Sequence, residues 1–221
     1  MKRRFDPATP ELMDRPQPVT PELESDLRSL RQLNRYFGSY ALIDYFLRRW
    51  IRRGEQLRVL DLATGSGDIP RLIVDHARKV GATVTIDAVD QQNSTLEIAR
   101  RLSADYPEIN FKQGDVLTFG EEAASSDLVL CSLALHHFSE GDAVRLLARC
   151  RQVSNRFVLV SDLCRGPLAT VGVYLLTALI FREPMTRTDA RLSAERAFSF
   201  REFHSLARRA GWQNFHHRKF R

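Results

Sequence analysis

Four groups of residues in this chain combine side-chain type and spacing in a way that could do chemistry. Asp61 interrupts the apolar run Val59, Leu60 and Leu62, and Ala63-Thr64-Gly65-Ser66-Gly67 follows it. Asp90 closes a second run, Val84-Thr-Ile-Asp-Ala-Val-Asp90, about 25 residues beyond the turn, where a carboxylate can accept both hydroxyls of a ribose. Gly114-Asp115-Val116 sets another carboxylate against an apolar residue, beside where an adenine amino group would lie. His136-His137 follow the apolar stretch from Asp127 to Leu135, and an imidazole titrating near neutrality suits removing the proton of a weakly acidic hydroxyl such as a phenol. Only one of two consecutive residues faces a common substrate. His137 is placed slightly ahead of His136 as the base, against the alternative that the pair packs beside a bound ligand.

These side chains need a scaffold that gathers them. Val59, Leu60 and Leu62 read as a strand buried on both faces, Gly65 and Gly67 let the backbone turn sharply near a ligand, and Arg71 to Lys79 continue as a helix. Strand, glycine turn and helix open a nucleotide-binding α/β fold. Pro70 stands where the dinucleotide pattern has its third glycine, which argues against a pyrophosphate cradle. A third acid at Asp115 has no use with a pyrophosphate cofactor but suits a nucleoside carrying an amino-acid tail. Asp127 to Ser132 is a fourth strand, expected beside the first and opposite the second, so that the order reversal opens a crevice. Ser132, Leu133, His136 and His137 leave its carboxyl end toward that crevice.

At these residues the chain resembles the class I S-adenosylmethionine-dependent methyltransferases. Asp61-Leu-Ala-Thr-Gly65-Ser-Gly67, Asp90, Gly114-Asp115-Val116 and the segment from Asp127 to Phe138 correspond in order and spacing to that family's glycine motif, ribose acid, adenine acid and fourth-strand motif, over roughly residues 55 to 165. The wording of the glycine motif with His136-His137 looks most like the ubiquinone/menaquinone-type and small-phenol methyltransferases, some of them associated with type III polyketide synthases. The resemblance implies S-adenosyl-L-methionine as cofactor, held by Asp61, Ala63, Thr64, Gly65, Gly67, Asp90, Gln91, Asp115, Val116, Ser132 and Leu133. Ala63 replaces the family's first glycine, which a negative φ would tolerate.

The 221 residues suit one α/β domain with an appended segment. The expected fold is a Rossmann-like, doubly wound, mostly parallel sheet of six to seven strands, with residues 1–54 as an N-terminal arm and helical lid and 55–221 as the core. Three cysteines, Cys131, Cys150 and Cys164, show no Cys-x-x-Cys spacing, and no metal ligand set is read. A reducing cytoplasm is the simplest setting, and the charged Met1-Lys-Arg-Arg start lacks the apolar run of a signal peptide. The net charge of +6 is spread over scattered Arg pairs interleaved with acids, which disfavours nucleic acid as partner.

Residues 1 to 19 read as an extended Pro-rich arm. Thr20-Pro21-Glu22 opens a helix to about 37, and a second follows Gly38-Ser39; Asn34, Tyr36 and Tyr40 are lid candidates, or ordinary capping and packing residues. Phe157 to Val160 is a fifth strand with Ser161-Asp162 at its carboxyl end, where Asp162 either orients a base or a substrate hydroxyl or is a loop-initiating or capping acid. Residues 164–195 form an insertion. Its 14 uncharged residues from Leu168 to Phe181 are too few for a membrane span and suit a helix over the pocket mouth, with Tyr174, Leu175, Ala178 and Phe181 as an apolar wall. Interfacial membrane contact or a homodimer face explains the same stretch, and a monomer is equally open. Arg182 to Arg191 reads as the returning loop, Arg187 and Arg191 as surface residues or carboxylate partners, Ser199-Phe-Arg-Glu202 as a capping box and Trp212 to Phe220 as the last strand. The family usually ends in a two-strand hairpin, so the edge is either one strand short or completed by another chain.

The resulting expectation is a methyltransferase acting on a small, largely apolar aromatic or lipid-like acceptor at a phenolic or quinol oxygen. Carbon methylation of a quinol ring, methylation of RNA or protein, and non-catalytic cofactor binding are its alternatives.

Overall fold

Val59, Leu60 and Leu62 are each no more than 2% exposed, because the strand that carries them has a neighbour on both edges and helices on both faces. The computed structural model describes residues 2–36, 38–119, 126–166, 171–174 and 184–219. Within them, β1 (Gln56–Leu62), β2 (Thr83–Asp90), β3 (Ile109–Gln113), β4 (Ser126–Ser132) and β5 (Ser154–Ser161) form one sheet in the order β3-β2-β1-β4-β5. Every pairing is parallel: Leu60 stands opposite Asp87 on one side and Val129 on the other. Parallel strands bury both faces, which is why β1 and β4 read as continuous apolar runs.

Around the sheet lie helices α1 (Pro21–Tyr36), α2 (Ser39–Trp50), α3 (Asp68–Val80), α4 (Asn93–Leu102), α5 (Glu140–Val153), α6 (Pro184–Arg196) and α7 (Phe200–Arg209), with 3-10 turns at Leu12–Asp14 and Leu135–His137. One core layer joins Ile43 and Leu47 of α2 and Ile73 of α3 to Val59 and Ile86. The other joins Leu60, Val129 and Cys131 to Leu146 and Leu147 of α5 and Leu206 of α7. Ser139 caps α5 by accepting the Asp142 N–H at 3.1 Å, and the Ser199–Glu202 capping box starts α7, both as their sequence signatures require.

Three expectations are corrected. The sheet has five strands among the described residues, not six or seven. The stretch 212–219 is not a strand: the Trp212 indole donates to the Leu147 carbonyl at 2.9 Å, and the His217 ring stacks on Phe200 with centroids 3.8 Å apart. Side-chain packing onto α5 and α7 thus holds the tail where ladder hydrogen bonds were expected. Residues 184–191 are the start of α6 rather than a loop; Pro184 occupies the first helical position, where its missing N–H costs nothing.

In the insertion, 171–174 are helical, while Leu175, Ala178 and Phe181 lie outside the described residues. Tyr174 turns to α6, its hydroxyl donating to Glu195 at 2.8 Å and its ring lying 4.8 Å below the Arg191 guanidinium. Among the described residues no helix is long and apolar enough to cross a membrane.

Candidate active site

The carboxyl ends of β1, β2 and β4 open into a cavity of about 670 Å³ at the order reversal between β1 and β4. Its floor is the turn between β1 and α3. Gly65 and Gly67 have φ of +55° and +71°, and so does Ala63, at +58°. A negative φ at Ala63 was expected. The turn instead demands the left-handed region at the position where the family has glycine, and alanine accepts it at a cost of about 1–2 kcal/mol. A Cβ on Gly67 would also stand 2.9 Å from Cζ of Phe111, so that ring would have to shift. A Cβ on Gly65 would meet nothing within 4 Å, so its open side is the cavity.

Asp90, 9% exposed, braces this turn: one carboxylate oxygen accepts the Gly65 N–H at 2.9 Å and the other the Gln92 N–H at 3.0 Å. Burial raises its carboxyl above the ordinary range, and those two N–H groups oppose the rise. Asp61 lies deeper. Burial pushes its carboxyl up to about 7, Thr64 opposes this, and the Asp68 and Asp90 charges add to it. Among the described residues, Oδ2 of Asp61 and the hydroxyls of Thr64 and Ser132 have no hydrogen-bond partner of good geometry, although all three residues line the cavity. Buried polar atoms left unpaired call for a polar ligand. The roof over the turn is tied down by Asp68, which accepts from the Tyr40 hydroxyl at 2.6 Å and from the Asn34 amide at 3.2 Å. Asn34 lines the cavity; the side chain of Tyr36 is outside the described set.

The far wall begins at Leu133, which also has a left-handed φ, +54°, and whose N–H donates to the Ser161 carbonyl at 2.8 Å. This kink at the end of β4 leads into the 3-10 turn Leu135–His137. His136 is buried: its N–H donates to Asp162 at 2.8 Å and its Nδ1 lies 2.6 Å from the same carboxylate. Asp162 therefore orients the histidine instead of only starting a loop. The His137 side chain is 21% exposed, and its Nδ1 lies 2.8 Å from Asp14.

Both imidazoles turn Nε2 toward Glu11, at 3.7 Å for His136 and 4.0 Å for His137. Glu11 is 2% exposed and accepts from the Ser193 hydroxyl at 2.8 Å; burial pushes its carboxyl up to about 7, with His137 opposing. The arm that carries it is fixed in place. Asp189 of α6 accepts the N–H groups of Leu12 and Met13 at 2.8 and 3.0 Å, and Arg3 donates to the carbonyls of His136 and Phe138 at 3.0 and 2.7 Å.

The expected cofactor-holding residues and the two histidines line this one cavity except Gly67, which shapes the turn behind it; Tyr40, Asp162, Arg187 and Arg191 do not line it. Asp115 and Val116 border it beyond β3, the Asp115 carboxylate accepting the Leu117 N–H at 2.8 Å. Glu11, Asp14, Asp68, Asp189 and Ser193 escaped the sequence reading. For Asp68 its place directly after Gly67 was a usable signal; for Glu11 and Asp14 a Pro-rich arm offers none.

Residues 59–156 match the family described as methyltransferase domain. The chain is 38% identical over 81 residues to the 2-phytyl-1,4-naphtoquinone methyltransferase of Thermosynechococcus vestitus, covering 37% of this chain and 35% of that protein. It is 29% identical over 140 residues to the demethylmenaquinone methyltransferase of Thermotoga maritima, covering 58% and 57%. These matches thus span between about a third and somewhat over half of the relatives' lengths. Among solved structures, the plantazolicin methyltransferase BpumL in complex with SAH superposes with a TM-score of 0.60 at 14% identity, over 84% of this chain and 68% of that one. The matched segment, residues 59–156, is thus similar to a methyltransferase domain, and the sheet and helices around it have the Rossmann-like architecture of SAH-bound methyltransferases.

Proposed function

We propose that this protein transfers the methyl group of S-adenosylmethionine to a phenolic or quinol oxygen of a small, largely apolar acceptor. The observation that carries this is the one cavity in which the glycine turn, with an Asp61 oxygen unpaired among the described residues, meets His136 and His137. The cofactor's requirements fit the residues present: Asp90 and Gln91 for the ribose, Asp115 and Val116 for the adenine, and Asp61 with the turn from Ala63 to Gly65 for the charged methionine end. When bound, the cofactor supplies an electrophilic methyl group on a sulfonium.

The protein's own part is alignment, exclusion of water and control of one proton. Leu27, Leu30, Phe5 and Phe138 supply an apolar lining that suits an aromatic ring or a prenyl-like tail. Holding the acceptor oxygen in line with the methyl group accounts for most of the acceleration. A phenol is a weak nucleophile until it loses its proton, and the cluster of His136, His137 and Glu11 is where that proton is removed. His137, the more open of the two histidines, stands against the acceptor; His136 is held by Asp162. The quinone methyltransferases among the relatives support an aromatic acceptor, and carbon attack from the same phenolate is the second reading, since its charge spreads onto the ring carbons.

The test is to incubate purified protein with methyl-labelled S-adenosylmethionine and a panel of phenols, quinols, alkylresorcinol-like lipids and total RNA, then to partition the label. Label in the organic phase is expected. Label in the RNA, or cofactor binding with no transfer to any acceptor, refutes the reading.

A further inference from the structure

The atoms facing one another between the arm and the 3-10 turn are an unusual set. Nδ1 of His136 lies 2.6 Å from Asp162, and Nδ1 of His137 lies 2.8 Å from Asp14. In a neutral imidazole, a carboxylate beside Nδ1 favours the proton on that nitrogen and a lone pair on Nε2. Both Nε2 atoms then point at the Glu11 carboxylate, at 3.7 and 4.0 Å. Those separations are too long for hydrogen bonds. Two lone pairs and a carboxylate therefore converge in a largely buried space, and among the described residues no Lys or Arg lies within ion-pair distance of Glu11. One carboxylate and two imidazole nitrogens so placed make a donor set that suits a cation.

We propose that Glu11, His136 and His137 bind one divalent transition-metal ion of the zinc type, and that this ion takes the acceptor oxygen as a further ligand. The second half rests on the methyl-transfer reading above; the first does not. The three candidate donor atoms lie within 4.8 Å of one another. A tetrahedral ion with bonds of about 2.0–2.2 Å holds its ligand atoms roughly 3.4 Å apart, so closure asks for small side-chain movements. Two imidazoles and one carboxylate select zinc, iron, cobalt or nickel over magnesium or calcium, which prefer oxygen donors.

The surroundings have the features of such a centre. Asp162 and Asp14 orient the two rings, and the Ser193 hydroxyl donates to Glu11 at 2.8 Å, so each candidate ligand has an outer partner. The side chains of His136 and Glu11 are each 3% exposed, and that of His137 is 21% exposed. The open side faces the cavity, where a fourth ligand would come from. Three protein ligands with one position left open is the pattern of a reactive zinc centre and not of a closed structural one.

An acceptor hydroxyl bound there would lose its proton to solvent, because a Lewis-acid ion lowers the pKa of a bound O–H. The oxygen would then form its bond to the methyl carbon as the carbon–sulfur bond breaks, with the electron pair staying on sulfur to leave the neutral thioether.

The site is tested on the full chain, stripped with a chelator and titrated with Co²⁺ in the absence of cofactor while visible absorption is followed. Saturation at one ion per chain, with the absorption of a four- or five-coordinate site and displacement by Zn²⁺, is expected. Glu11→Gln and His137→Gln should each weaken Co²⁺ binding at least tenfold. His137 is partly open to solvent, so that variant keeps the test usable if Glu11→Gln does not fold; circular dichroism of each metal-free variant checks this. Unsaturable binding, or affinity in the folded variants unchanged from that of the native chain, overturns the metal site. Methyl transfer at the same rate after stripping overturns the acceptor half while leaving the methyltransferase reading intact. One bound ion with no transfer to any acceptor sinks the methyl-transfer reading and leaves the metal site standing.

Discussion

Asp162 and His136 are joined twice, the carboxylate taking the backbone N–H at 2.8 Å and standing 2.6 Å from the ring Nδ1. The end of β5 thereby sets both the position and the tautomer of a histidine that follows β4. Asp162→Asn keeps the shape but can present an amide N–H to Nδ1, which would move the ring proton to Nε2. Turnover should fall about 10²- to 10⁴-fold with cofactor affinity unchanged. Imidazole ¹⁵N resonances would follow the proton, and an unaltered tautomer would remove Asp162 from this role.

Asp90 serves the turn before it serves any ligand, since it already accepts the Gly65 N–H at 2.9 Å. Asp90→Ala should therefore weaken S-adenosylmethionine binding by about 1.5–3 kcal/mol and also lower the stability of the ligand-free protein. Titration calorimetry and urea unfolding measure the two effects. Unchanged affinity would displace the ribose from this carboxylate.

Ala63 sits at φ +58° with the penalty of a Cβ. Ala63→Gly should raise unfolding stability by up to about 1 kcal/mol, the relief of strain exceeding the extra entropy glycine brings to the unfolded chain. A loss of stability in urea unfolding would mean that neighbouring contacts of the methyl group outweigh the strain.

The Asp61 carboxyl is raised from 3.8 to about 7 in the folded protein by burial. A raised acid favours the folded state fully below about pH 4, and that contribution is lost as pH rises through 7. Asp61→Asn should remove this slope. The variant's stability relative to the native chain should accordingly improve between pH 5 and pH 8, by as much as 2 to 4 kcal/mol. Binding of a cationic methionine end would favour the ionised form, so at pH 6.5 cofactor binding should release a proton, seen as buffer-dependent enthalpy in calorimetry. Parallel stability profiles of the two proteins would contradict the assignment.

Much of the geometry at the carboxyl ends of β1 and β2 was legible in the sequence. Asp61, Gly65 and Asp90 occupy fixed places in a βαβ unit, so strand periodicity and spacing alone bring them to one crevice. The φ of Ala63 was not legible, because spacing identifies a position without giving its backbone angles. Glu11 was invisible for another reason: its burial comes from Ser193 and the histidine pair, over a hundred residues away, and nothing local in a Pro-rich arm encodes that. The helix at 184–196 was misread from its arginines, although Ala, Arg, Leu and Glu are good helix formers and Pro184 marks its start. The aromatic and imidazole residues after Trp212 have strand propensity, yet the rings of α7 compete for them more effectively than a sheet edge does.

Arg196 of α6 donates to the carbonyls of Asp6 and Thr9, contacts that close loops of 190 and 187 residues. Closing so long a loop costs entropy that local contacts cannot repay early, so the arm should dock last, onto a sheet already formed. These hydrogen bonds, together with those from the Leu12 and Met13 N–H groups to Asp189, should open first under native conditions, exposing the amides of Leu12 and Met13 to hydrogen exchange ahead of those in β1 and β4. Detachment of this clasp would uncover the histidine wall without disturbing the glycine turn, giving the acceptor a way in that leaves the cofactor cradle whole.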